Sequence, residues 1–226
     1  MHFGHHNHKH EYKIENHTLE SVEFEKDLGI IIDNGFKFHK QTADAVKKAN
    51  QILCVIKKSY HTRDAKTIST LYKSLVRPHL EYGNIIWGSN YVGDMRSIEK
   101  VQRRATKQIE NLRDEPYENQ LKTLNLHSLL YRRRRGDMIQ IYKVINGLVR
   151  IPTNSLFRLR KNGKTRGHDK KILKQHAQKT SRAKYFSQRS VNDWNELTND
   201  IVNAPTLMSF KCKLDQHWKD AWYRIN

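Results

Sequence analysis

Apolar and polar positions divide the chain into a short alternating stretch and a long helical remainder. From Tyr12 to Ile32 the apolar residues recur with a period of two: Tyr12 and Ile14, Val22 and Phe24, then Leu28, Ile30 and Ile32. That period predicts short strands, with turns at Glu15–His17 and Lys26–Asp27. Gly29, inside D-L-G-I-I-I-D, allows a close backbone approach or a bulge. From His39 to Tyr60 the period becomes helical. Ala45, Ala49, Ile52, Leu53 and Ile56 share one side, and Lys47, Lys48, Lys57 and Lys58 fall mostly on the other. Thr62 is expected to cap the next helix, with Asp64 in its positive first turn. Ile68, Leu71, Tyr72, Leu75 and Val76 then form an apolar face. Pro78 has no N–H to donate, so the helix kinks or restarts there. Trp87, beside two isoleucines, reads as a core anchor rather than a base-stacking platform. Ile98, Val101, Ala105, Ile109 and Leu112 mark a further helix whose remaining faces carry Lys100, Arg103, Arg104 and Lys107.

Beyond Pro116 an apolar run at Leu121–Leu130 leads into Y-R-R-R-R-G-D-M-I-Q-I-Y-K-V-I-N-G. Met138, Ile141, Tyr142 and Ile145 keep helical spacing, and Gly147 is a natural C-terminal cap. Arg132, Arg133, Arg134 and Arg135 leave no neutral face on their turn. A solvated basic face and a phosphate-contacting one both fit them. Arg158–Arg189 is dense in lysine and arginine and poor in apolar residues, which predicts a loop or lightly packed arm. A phosphate-binding arm and a nuclear-import signal both match that run. Phe186, Val191, Trp194 and Leu197 then suit a helix buried on one side, and Phe210, Leu214, His217 and Trp218 a last one. The expected fold is mainly α with a small N-terminal antiparallel β element, an α+β arrangement. Its segments are 1–36 (β-hairpin), 37–115 (helical), 116–157 (helical, basic), 158–184 (basic arm) and 185–226 (helical unit).

Charge changes the picture most. The 226 residues carry a formal net charge of +19 and are only 37% hydrophobic. Self-repulsion of that size favours a polyanionic partner, and nucleic acid leads. An acidic membrane surface fits less well, because no stretch joins a strong apolar face to aromatic anchors. Apolar runs are too short to span a bilayer and no signal core opens the chain, so an intracellular protein of nucleus or cytoplasm is expected. Cys54 and Cys212 form no disulfide framework and are expected as buried, reduced thiols. Six histidines fall in the first seventeen residues, but no cysteine or carboxylate completes a ligand set, and a polar turn is the expectation. Adjacent aspartates, a G-x-x-x-x-G-K-[ST] loop, H-E-x-x-H and a nucleophile elbow are all missing from the sequence. Catalysis by this chain alone is therefore not expected, nor a cofactor of its own.

The run L-Y-K-S-L-V-R-P-H-L-E-Y-G-N-I-I-W (Leu71–Trp87), followed by I-E-K-V-Q-R-R-A-T-K (Ile98–Lys107), resembles the region after the catalytic palm in reverse transcriptases of non-LTR, LINE-type retrotransposons of the jockey and chicken-repeat kind. The likeness extends over nearly the whole chain. It implies that Met1–Gly4 ends a palm strand and that Val22–Asp33 is a primer grip whose Leu28–Gly29 turn steadies the primer end. Residues from His39 to about Leu112 would form a thumb along the template–primer duplex. Tyr131–Gly147, Thr165–His168 and Phe186–Leu197 match the family's C-terminal region, with Thr198 where relatives often have proline. The Y-x-D-D aspartates, which hold Mg2+ in the full-length enzyme, would lie upstream. The chain would then be a C-terminal fragment that helps bind template and primer, with an inert remnant or a stand-alone nucleic-acid-binding protein as alternatives. Expected partners are RNA, DNA or an RNA–DNA hybrid, together with the fingers and palm portion. Residues expected to meet phosphate are Lys47, Lys48, Arg103, Arg104, Lys107, Arg132, Arg133, Arg134, Arg135 and Arg166.

Overall fold

The structure, a computed structural model, describes residues 1–4, 7–88, 91–160 and 167–219. It is mainly helical, with two small antiparallel hairpins near the N-terminus among the described residues. The first pairs β1 (Lys13–Ile14) with β2 (His17–Thr18), and the second pairs β3 (Phe24–Asp27) with β4 (Ile30–Asp33). The second turn falls at Leu28–Gly29 rather than at Lys26–Asp27, which lie within β3. Both turn residues have positive φ, 45° and 83°, the backbone twist that joins two strands through a two-residue loop. Gly29 is thus a turn residue and not a bulge. After β4 the Asp33 carboxylate accepts from the N–H groups of Gly35, Lys37 and Phe38 at 3.1, 3.0 and 2.6 Å. Those bonds turn the chain into the first helix.

That helix, α1 (His39–Ser59), buries Ala45, Ala49, Leu53 and Ile56, as its periodicity predicts. The following α2 (Ala65–Leu71) is capped by Asp64 and not by Thr62. Its carboxylate accepts the Thr67 N–H at 2.9 Å, which holds its pKa below the ordinary value. At Tyr72–Val76 the helix widens into a π turn, where the Arg77 N–H reaches back five residues to the Tyr72 carbonyl. A new helix, α3 (Arg77–Glu81), starts there with Pro78 in its first turn. A missing N–H costs little at that position, so the expected restart occurs. Gly83, φ 63°, lets α4 (Asn84–Trp87) pack against β4. A Cβ at Gly83 would lie 2.6 Å from the Ile30 Cδ1. Trp87 is buried and gives its indole N–H to the Tyr82 carbonyl at 2.5 Å.

The helix expected to run to Leu112 ends earlier, as α5 (Val92–Thr106). Gln120 supplies the reason. On α6 (Tyr117–Thr123), it accepts from the Thr106 hydroxyl at 2.5 Å and donates to the carbonyls of Leu112 and Glu115 at 2.8 and 2.9 Å. These bonds hold a turn that still buries Ile109 and Leu112.

Then α7 (Leu129–Ile145) is capped by the Ser128 hydroxyl. It ends where Gly147, φ 68°, lets the Leu148 N–H reach the Lys143 carbonyl at 2.8 Å. The remaining helices are α8 (Thr153–Leu156), α9 (Thr180–Lys184), α10 (Phe186–Arg189), α11 (Val191–Asn195), α12 (Asn199–Val202) and α13 (Leu207–His217). The single helix expected at Phe186–Leu197 is therefore split at Ser190, although Phe186, Val191, Trp194 and Leu197 are all buried. Nor are the described residues of 158–184 merely an arm. Leu159 pairs with Ile172 in an antiparallel bridge, and Phe157, His168 and Ile172 sink into the core.

Two apolar cores result. One joins β4 and α1–α6 to Leu129, and the other gathers Met138, Ile141, Phe157, Trp194 and Phe210. Helix α7 begins in the first and continues into the second, so the cores cut across the segments drawn from sequence.

Candidate nucleic-acid interface

Helix α5 turns Ile98, Val101 and Ala105 inward together with Glu99, Gln102 and Thr106. At about 100° per residue, Arg96, Lys100, Arg103, Arg104 and Lys107 then project within one arc of about 100° on the opposite side, and all five are exposed. Arg104 donates to the Asn50 side chain at 2.8 Å, and Arg103 lies over the Tyr117 ring at 4.4 Å. Among the described residues none of the five forms an ion pair with a carboxylate. Cations in the last turn also offset the carbonyl end of the helix, which accounts locally for Arg103 and Arg104 but not for Arg96 or Lys100.

At the C-terminal end of α5 a groove of about 650 Å³ opens against α1. Lys57, Arg63, Arg104, Lys107 and Arg113 line it, with Glu110 and Asp114 as its acids and Asn50 and Cys54 on the α1 side. Arg104 and Lys107 are thus brought together as expected. Arg63 and Arg113 join them from segments without periodicity, where sequence offered no signal. Lys47 is exposed on α1 at helical spacing from Asn50 and Cys54. Lys48 is paired with Asp44 on its own helix at 2.8 Å.

A buried polar network sets the rotation of α5. Glu99 accepts the Tyr117 hydroxyl at 2.5 Å and the Leu129 N–H at 2.9 Å. Gln102 accepts the Tyr72 hydroxyl at 2.7 Å and donates to the His127 carbonyl and the Tyr117 oxygen, each at 3.0 Å. Burial raises the Glu99 carboxyl above its ordinary pKa and pushes both phenols up. With the π turn at Tyr72, α6 and the start of α7 all tied to the inner face, the basic face points outward.

The four consecutive arginines do not form one shared basic face, although Arg134 is exposed. One helical turn spreads them over four neighbours. Arg132 forks onto Glu81 of α3, Arg134 onto Asp193 of α11 at 2.8 and 2.6 Å, and Arg135 onto Asp215 of α13 at 2.5 and 2.8 Å. Arg133, 8% exposed, lies over the Trp87 ring at 4.8 Å, and burial brings its pKa down to about 10. Three of these charges are matched by carboxylates and Arg133 is buried, although Arg134 itself remains exposed. Sequence missed Arg189, whose guanidinium grips Asp137 at 2.8 and 2.9 Å and reaches the Gly88 carbonyl at 3.0 Å.

Leu28 sits at the hairpin tip, 82% exposed, where its carbonyl accepts the Tyr82 hydroxyl at 2.9 Å and Gly29 lies beside the same ring. Arg166 and Thr165 lie outside the described residues. Cys54 and Cys212 are both exposed, contrary to expectation. Cys54 follows Leu53 by 100°, which carries it off the buried stripe and into the groove. Among the described residues no group of three or more His, Cys, Asp or Glu could hold a metal ion, and no helix is long and apolar enough to cross a membrane. Searches of family models, curated proteins and solved structures found no match for this chain.

Proposed function

We propose that this chain binds the phosphodiester backbone of nucleic acid along the outward face of α5. Its role would be that of the template–primer-gripping region in the LINE-type reverse transcriptases whose sequence it resembles. One contrast carries the reading. Arg132, Arg134, Arg135 and Arg189 are all answered by carboxylates, whereas the five exposed cations of α5 are answered by an amide, an aromatic ring or solvent. A net charge of +19 favours a polyanionic partner for surfaces of that second kind. The contact is sequence-tolerant, because nothing in a phosphate-facing row reads base edges. The chain takes no chemical step of its own in this proposal.

The test is fluorescence anisotropy on an RNA–DNA hybrid across a salt series. Each phosphate contact contributes about 0.9 to the slope of log affinity against log salt, so Lys100→Gln with Arg104→Gln and Lys107→Gln should flatten it by about 3. Affinity that ignores salt, or a triple variant with the parental slope, would refute the reading. So would primer extension by the purified chain with Mg2+.

A further inference from the structure

A second group of exposed cations lies on and just before α9, and is likewise without carboxylate partners among the described residues. Lys174, Lys179 and Arg182 are exposed. Lys174 donates to the Asn192 side chain at 3.1 Å and Arg182 to that of Gln175 at 3.2 Å. Neutral amides hold these side chains in place while leaving their charge intact. Among the described residues none of the three forms an ion pair. Helix α9, which carries Arg182, is fixed against the start of α5 at its far end, where the Lys184 ammonium sits 3.5 Å from the centre of the Tyr91 ring. Near this contact Asp94, in the first turn of α5, is bonded to His39 at 2.8 Å. Arg189 pairs with Asp137 of α7 and donates to the carbonyls of Gly88, Asn84 and Ile85, so the next helix, α10, is held against both α7 and α4. The two basic surfaces therefore stand in a set relation, although they belong to different cores.

We propose that Lys174, Lys179 and Arg182 are a second phosphate-contacting segment, so that one nucleic-acid backbone runs from the groove at Lys107 along α5 and across the Lys184–Tyr91 junction onto the second core. This rests on the reading of α5 given above. Charge complementarity selects the partner: two groups of exposed cations on elements that touch suit a regularly spaced polyanion, and a phosphodiester chain is one. From Arg96 to Lys107 the α5 row spans about 17 Å, or about 5 base pairs at 3.4 Å each. Reaching α9 takes a longer duplex.

The experiment compares hairpin-capped duplexes of about 6 and about 20 base pairs, as DNA and as RNA–DNA hybrid, against two variants of the full chain. The variants are Lys174→Gln/Lys179→Gln/Arg182→Gln and Lys100→Gln/Arg104→Gln/Lys107→Gln. All six positions are exposed, and circular dichroism confirms that each variant keeps its fold. The first variant should bind the short duplex like the parent. On the long duplex its salt slope should flatten by about 3, with at least a tenfold loss of affinity at low salt. The second should lose affinity for both lengths. If the first variant equals the parent on the long duplex, the second segment is refuted and the α5 reading stands. Equal weakening on both lengths also refutes it, since that is the mark of diffuse charge rather than a longer footprint. If the parent binds neither duplex, the α5 reading falls and this inference with it. If polyglutamate competes as well as nucleic acid per unit charge, the phosphodiester assignment is overturned.

Discussion

Replacing Arg189 by methionine should separate the two cores. The guanidinium is almost fully buried, its side chain 6% exposed, against an Asp137 side chain 8% exposed, with two bonds of 2.8 and 2.9 Å. It also donates to the Gly88 carbonyl at 3.0 Å and to those of Asn84 and Ile85 at 3.3 Å. Removing one partner of a buried pair strands the other, at a cost of about 3–5 kcal/mol. Carbonyls left without a donor add about 1 kcal/mol more. Against a total of about 5–15 kcal/mol for a folded domain, that loss is large. Urea unfolding followed by tryptophan fluorescence suits the question, because Trp87 lies in the first core and Trp194 in the second. The parent should unfold in one transition, and Arg189→Met should lose about 4 kcal/mol and show two. Burial already raises the Asp137 carboxyl above its ordinary pKa. Without its cation that pKa climbs further, so the variant should regain stability as pH falls through the raised value toward 3.8, where the unfolded group titrates. Adding Asp137→Leu should restore much of the loss, since no buried charge then stands alone. A single transition within about 1 kcal/mol of the parent would refute the account of Arg189 as a tie that supplements α7 between the cores.

Three further outcomes are expected. Both cysteines should react with a thiol reagent in the native protein, and bound duplex should slow Cys54, which lines the groove, while leaving Cys212 unchanged; equal protection of the two would count against the groove as contact surface. Burial lowers the pKa of His168, whose Nδ1 has no hydrogen-bond partner among the described residues and whose Nε2 meets the Trp194 carbonyl at 3.0 Å. The stability tied to its neutral form is fully present above 6.5 and is lost as pH drops through the lowered folded value. His168→Phe should therefore reduce the acid slope of unfolding free energy by one proton, and an unchanged slope would contradict this. Leu28 adopts φ 45° while 82% exposed, so Leu28→Asn should stabilise by about 1 kcal/mol and raise the melting temperature by about 2–4 °C; a lower melting temperature would mean the tip packs in a way its exposure does not reveal.

How far the sequence carried depended on the range of the interaction. The buried stripe of α1, the helix restart around Pro78, the cap at Gly147 and the inward Trp87 are each set within a turn or two of chain. There periodicity, a missing N–H or a tolerated positive φ decides the outcome. The face of α5 belongs largely to the same class, since Lys100, Arg103, Arg104 and Lys107 at those intervals on one helix must project together; Arg96 joins them only once the helix is seen to start at Val92. Other features were decided by partners distant in sequence. Arg132, Arg134 and Arg135 looked no different from Lys100 or Arg104 until Glu81, Asp193 and Asp215 arrived beside them from 51, 59 and 80 residues away. The end of α5 depended on Gln120, and the anchoring of 158–184 on a core assembled from α7 and α11. The sequence by itself determined where positive charge is carried and which local face is apolar. Only the tertiary structure decided which of those charges are neutralised, because an ion pair forms in space and leaves no period along the chain.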